Sequence, residues 1–177
     1  MTEKQRYKKS EPLKRLEQLA HSKECEKHPT LAAEYIPRKK YKDDSANALT
    51  KSIIALIGLI GGQAERINTS GRVVARSRKG WQNGRVTDII TREYIPTAGV
   101  RGSADISATI CGRSVKVEVK YGRDRQSEAQ KDYQTQIERA GGYYIIARTF
   151  EQFAASLLGV VPLDSESRNI LHFVLFG

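Results

Sequence analysis

Two acids and a lysine, Asp105, Glu118 and Lys120, fall within sixteen residues of one another. Ala104 to Ile110 alternates polar and apolar residues, as does Val115 to Lys120. Cys111-Gly112-Arg113-Ser114 between them is a tight-turn signal, so the segment predicts a β-hairpin. Side chains alternate across a strand, which puts Asp105, Ser107 and Thr109 on one face and Lys116, Glu118 and Lys120 on one face. A two-residue Gly112-Arg113 turn would set Asp105 opposite Lys120 and Ser107 opposite Glu118. The two carboxylates are then diagonal neighbours, about 7–8 Å apart at the backbone and closer at their tips. Ile106, Ala108, Val117 and Val119 fill the other face and suit a core. Paired carboxylates repel, and a hard divalent cation such as Mg²⁺ or Mn²⁺ neutralises them. A lysine beside them could position or activate a water, or stabilise charge developing on a phosphate. These are the parts of metal-assisted phosphodiester hydrolysis. The ordinary alternative is a cross-strand salt bridge from Asp105 or Glu118 to Lys120 on an exposed face. The trio alone does not separate the two.

The elements around the hairpin are legible in the same way. A loop, Tyr121 to Gln126, leads to Ser127-Glu128-Ala129-Gln130, which matches a capping box. Ala129, Tyr133, Ile137 and Ala140 predict the buried face of the helix that follows, and Gly141-Gly142 stops it. Tyr143 to Ala147 reads as a strand buried on both faces. A helix is expected over Phe150 to Leu158 and a last strand over Ile170 to Phe176. Upstream, Ser45 caps a helix with an apolar stripe of Leu49, Ile53, Leu56, Ile57 and Ile60. Gln63 to Asn68 reads as a strand, turned by Thr69-Ser70-Gly71. Val73 to Ala75 and Val86 to Tyr94 read as short strands. The order predicts an α/β fold with a mixed central sheet flanked by helices.

Residues 1–44 differ from 45–177. They hold 12 Lys/Arg and 8 Asp/Glu. Ser10-Glu11-Pro12 opens a short amphipathic helix with Leu13, Leu16 and Leu19, reaching about Lys27. Pro29 and Pro37 interrupt regular structure, and Arg38-Lys39-Lys40-Tyr41-Lys42 reads as a solvated linker or a phosphate-contacting arm. We therefore expect a basic N-terminal extension or arm over 1–44 ahead of the main domain over 45–177. The 177-residue chain carries a net charge of +10 and only two cysteines. Its longest apolar run, Ile53 to Ile60, is too short to span a membrane. No disulfide framework and no apolar signal core are evident, so an intracellular place, cytoplasmic or nucleoid-associated, is expected. Surplus positive charge favours a polyanionic partner, with nucleic acid first. Cys25-Glu26-Lys27-His28 is half of a zinc pattern without a second half.

The run Gly99-Val100-Arg101-Gly102-Ser103-Ala104-Asp105-Ile106, with Val117-Glu118-Val119-Lys120, Ser127-Glu128-Ala129-Gln130 and Gly141-Gly142-Tyr143, resembles the VRR-NUC domain of the PD-(D/E)XK nuclease superfamily. The resemblance covers about residues 45–155 and is strongest over 99–150. It implies a restriction-endonuclease-like core and a Mg²⁺- or Mn²⁺-dependent endonuclease acting on DNA, with branched DNA as a substrate class. It also implies Asp105, Glu118 and Val119 at the metal, Lys120 as the catalytic lysine, and a possible homodimer. Gln130 then has two readings, reaching the active site or completing the capping box. The family often places a glutamate near the start of the first core helix. Here that helix has no acid from Ser45 to Ile60; Asn47 or Thr50 stands in the region, with Asp43 and Asp44 just before it. The alternative from another class is a non-catalytic DNA-binding protein that retains the fold.

Candidate nucleic-acid contacts are Arg101 and Ser103 before the hairpin and Arg123, Arg125 and Gln126 after it. Lys79 and Trp81 join them from the basic 72–92 stretch, where cations surround an aromatic. For the arginines and the basic stretch, a solvated loop is the ordinary alternative.

Overall fold

A computed structural model describes residues 7–67, 72–82, 85–95 and 100–177. The elements are α1 (Glu11–Lys27), α2 (Ala46–Leu59), β1 (Gln63–Arg66), β2 (Arg72–Gln82), β3 (Arg85–Ile95), β4 (Ile106–Ile110), β5 (Arg113–Val119), α3 (Glu128–Arg139), β6 (Tyr143–Ala147), α4 (Phe150–Val160) and α5 (Ser165–Phe176). β1, β4, β5 and β6 form one sheet in that order. Its first two pairings are antiparallel and β5–β6 is parallel, so the α/β fold with a mixed sheet is as expected.

The sheet is two-faced because its strands alternate. Ile106, Ala108, Val115, Val117, Val119, Ile145 and Ala147 point into the core, where they meet Leu49, Ile53, Leu56 and Ile57 of α2, Phe150, Phe153 and Leu157 of α4, and Leu171 and Val174 of α5. The opposite face carries Ser107, Lys116, Glu118 and Tyr144, and α3 lies over it. Tyr133 of α3 stands edge-on to Tyr144, with ring centroids 6.4 Å apart. That helix is less buried than its pattern predicts. Ala129, Tyr133 and Ile137 are half-buried and Ala140 is exposed, because they cover a polar strand face rather than a core.

Three further expectations change. Ile170 to Phe176 is not a strand but the end of α5. Asp164 caps that helix, its Oδ1 accepting the Ser167 N–H at 2.7 Å, and Leu171 and Val174 are fully buried at helical spacing. A short apolar run has no period of its own to choose between helix and strand. Val73–Ala75 and Val86–Tyr94 extend into one long two-stranded ribbon, β2–β3, separate from the main sheet. The turns at Thr69-Ser70-Gly71 and Asn83-Gly84 lie outside the described residues.

The third change concerns residues 1–44. Leu13 and Leu16 of α1 have no exposed surface and belong to the main core. Arg15 donates to the Leu175 carbonyl at 2.9 Å, tying α1 to α5. The Tyr41 N–H donates to Glu17 at 2.6 Å and Ser52 donates to the Lys42 carbonyl at 2.7 Å, so the connector is stitched to both helices. Position 44 is therefore no break in the core, and a loosely attached arm does not describe α1. Leu16→Ala is expected to destabilise the fold by about 2–5 kcal/mol, as for other buried leucines. A urea midpoint equal to wild type would place α1 outside the core. No helix among the described residues is long and apolar enough to cross a membrane.

Candidate active site

The hairpin turn sets the geometry. The observed turn is Cys111-Gly112, with Ile110 opposite Arg113, two residues away from the Gly112-Arg113 register. Both turn residues have positive φ, 48° and 72°, as a type I′ loop requires. Cys111 is the only non-glycine in that conformation among the described residues, and its thiol is held by the Asp164 carboxylate at 3.2 Å. A two-residue slip leaves every side chain on its face but changes its partner. Ser107 now stands opposite Lys116, which donates to its hydroxyl at 2.6 Å. Continuing the register places Asp105 opposite Glu118 rather than Lys120. The two carboxylates are close enough for the Asp105 charge to raise the Glu118 carboxyl.

Asp105 ends the loop from Val100. Its Oδ2 accepts the Val119 N–H at 2.9 Å and its carbonyl accepts the Ile67 N–H at 2.8 Å, so both β5 and the end of β1 hold it. Val119 contributes that N–H while its side chain sits in the core. The loop fits because Gly102, at φ 82°, packs on the first turn of α3. A Cβ there would lie 2.2 Å from the Ala129 carbonyl oxygen. Ser103 donates to the Val100 carbonyl at 2.6 Å, which closes the loop on itself.

Glu118 and Lys120 are 2% and 3% exposed, so the pair is not the exposed salt bridge of the ordinary alternative. The Lys120 ammonium lies 3.0 Å from Glu118 Oε1 and 3.4 Å from Asp124 Oδ2. Gln130 joins them. Its Nε2 donates to Glu118 Oε1 at 2.5 Å, and its Oε1 accepts from Lys120 at 3.0 Å and from the Ser127 N–H at 2.9 Å. The Ser127 hydroxyl accepts the Gln130 N–H in return. One amide therefore completes the capping box and also contacts the acid–lysine pair.

The charges follow from this enclosure. Burial pushes the Glu118 carboxyl above the usual carboxylate range; Lys120 works against that and Asp105 adds to it. Burial also works against the Lys120 charge, but Glu118 and Asp124 outweigh it and hold the ammonium above its ordinary value. Tyr144 is raised by its own burial and by the Glu118 charge, and its hydroxyl stands 3.5 Å from Glu118 Oε2. Tyr144 and Asp124 were not expected in the site. A tyrosine in a strand read as buried on both faces was the available signal, because its hydroxyl needs a partner.

The other candidates are placed as follows. Gln126 donates to Gln134 of α3 at 3.0 Å. Arg101 is exposed and lines a cleft with Glu128, Ala129, Asp132 and Tyr133 of α3. Arg123 and Arg125 are exposed on the loop after β5. Lys79 and Trp81 lie on the ribbon. Upstream, Asp43 accepts from the Tyr7 hydroxyl at 2.8 Å and the Phe150 N–H at 3.2 Å, Asp44 pairs with Lys42, and Thr50 donates to Ala46 within its own helix. Asn47 is exposed at the start of α2. Among the described residues no three His, Cys, Asp or Glu side chains gather at one metal position.

Two carboxylates still fit a hard cation, since Mg²⁺ keeps several waters and commonly takes only one or two carboxylates besides substrate phosphate. Among the described residues Asp105 Oδ1 accepts no hydrogen bond, and Glu118 Oε2 has only the long contact from Tyr144. These are the two oxygens left for it. No protein-family model matches the chain and no curated protein matches it.

Proposed function

We propose that this chain is a Mg²⁺- or Mn²⁺-dependent DNA endonuclease of the VRR-NUC type. One observation carries the reading: a buried lysine bridges Glu118, which faces Asp105 across the hairpin. A buried ion pair adds little net stability and costs desolvation, so it is a poor structural device. A raised carboxylate beside a second carboxylate is the arrangement that active sites use. Asp105 and Glu118 would hold the cation, with the Val119 backbone beside them. The bound cation supplies phosphate charge neutralisation and a more acidic water. Lys120 stays protonated through the neutral range and presents its ammonium to a phosphate oxygen or to water. Gln130 fixes both Glu118 and Lys120, and the Asp105–Val119 hydrogen bond orients the first carboxylate. The surplus cations of the chain support DNA as the partner.

The missing third carboxylate favours a second reading, a DNA-binding protein without turnover. Purified protein incubated with plasmid and branched DNA, in Mg²⁺, Mn²⁺ or EDTA, decides between them. Cleavage that needs Mg²⁺ or Mn²⁺ is expected. Binding of both DNAs with no product in either metal would establish the second reading.

A further inference from the structure

The β2–β3 ribbon carries six Lys/Arg against two acids in 22 residues, a large part of the chain's +10. Its register sorts the residues by face. Val73 pairs with Tyr94, Ser77 with Ile90, Lys79 with Asp88 and Trp81 with Val86, so all of these share one face. The large apolar members are open to solvent: Trp81 is 77% exposed, and Val73, Val86, Ile90 and Tyr94 are each more than half exposed. On the other face Ile89 folds over Gly80, where a Cβ would meet its Cδ1 at 2.4 Å, and that face also carries Arg76, Arg78 and Arg85. An isolated two-stranded ribbon is marginal in water, and one with an open apolar stripe needs a partner.

We infer that this ribbon binds an unpaired stretch of DNA, with Trp81 stacking on a base and Lys79 and Arg92 meeting the backbone. The inference rests on the nuclease reading and adds to it a second surface, away from the Asp105–Glu118–Lys120 cluster in the fold, that takes unpaired strands. Bases without partners expose π-faces that aromatic and aliphatic side chains can cover, whereas a closed duplex offers mostly phosphate and groove edges. A second copy of the chain fits less well. Six Lys/Arg against two acids leave each ribbon with a net +4, so two ribbons set face to face repel while DNA phosphates are attracted.

Trp81 is the single tryptophan of the chain, so its emission reports on this face alone. The full-length protein is titrated in EDTA with oligo(dT) and with a blunt duplex of equal length, and binding is followed in parallel by anisotropy of the labelled DNA. Oligo(dT) is expected to quench Trp81 saturably and the duplex much less. Trp81→Ala should weaken oligo(dT) binding about fivefold or more, and Trp81→Phe should recover part of it. Lys79→Ala and Arg92→Ala should each lower the salt slope of that binding by about 0.7. Oligo(dT) binding without quenching, or unchanged in Trp81→Ala, overturns the inference. Equal quenching by duplex assigns the face to duplex DNA, and an emission shift with protein concentration alone assigns it to a second copy; either also overturns it. Because no turnover is read, a protein that passes this test but cleaves nothing refutes the nuclease reading only. One that cleaves DNA but ignores Trp81→Ala refutes the ribbon only.

Discussion

Asp105→Ala, Glu118→Ala and Lys120→Ala are each expected to lower DNA cleavage more than about a hundredfold, since even outer partners of metal ligands commonly cost ten- to a hundredfold. The three do not act alike on the fold. Asp105 is half-buried and anchors Val119, so its loss frees one backbone N–H at the end of β5. Removing Lys120 leaves Glu118 buried without its cation, a change that typically costs about 3–5 kcal/mol unless the acid takes a proton. Glu118 already holds its proton more tightly than an ordinary carboxylate, which softens that cost. Asp105→Asn keeps volume and an oxygen for the Val119 N–H, so it separates chemistry from folding: a melting curve close to wild type with cleavage lost is expected. Glu118→Gln leaves the buried Lys120 ammonium with only Asp124, so it should lose cleavage and also melt earlier. Full activity in any two of the three alanine variants would remove these residues from the active site.

Divalent cation should also stabilise the protein in a pH-dependent way. The Glu118 pKa is raised in the folded state, chiefly by burial. Its contribution to stability is therefore full below the ordinary carboxylate pKa and is lost as pH rises through the raised value. Without metal, the protein weakens over that window. Lys120 is also raised, so its contribution persists through neutral pH and fades only as pH climbs through its own folded pKa. A cation binds the deprotonated carboxylate, so its stabilising effect should grow with pH across the same window. At a hundred times its Kd, Mg²⁺ or Mn²⁺ contributes about 2.7 kcal/mol. For a chain of this size that is a rise in Tm of roughly 5–11 °C. Glu118→Gln should abolish the rise. Ca²⁺ should give a comparable rise and support DNA binding, but not cleavage, because its coordination is looser. An equal Mg²⁺ shift in acidic and mildly alkaline buffer, or undiminished cleavage in EDTA, would exclude Glu118 as a metal ligand.

The parts of this molecule that follow from local rules are legible in its sequence. The alternation of β4 and β5 put Asp105, Glu118 and Lys120 on one face, and a two-residue slip could not change that. The capping box at Ser127 and Gln130 needs only neighbours in the chain, as does the stripe of α2. Tertiary contact decided the rest. The Cys111-Gly112 turn is stabilised by Asp164, fifty-three positions away, and that register brings the two carboxylates opposite each other. Tyr144 reaches Glu118 only because β6 lies parallel to β5. Ile170 to Phe176 became helical because Asp164 caps it and the core takes Leu171 and Val174; its apolar residues alone suit either structure. The N-terminal segment looked separable because charge and proline are visible in a sequence, whereas the burial of Leu13 and Leu16 against distant helices is not. Sequence determines which faces are polar and where elements begin and end, through periodicity and capping. Which faces meet is set by long-range packing, and at this site that packing turned an apparent surface ion pair into a buried one.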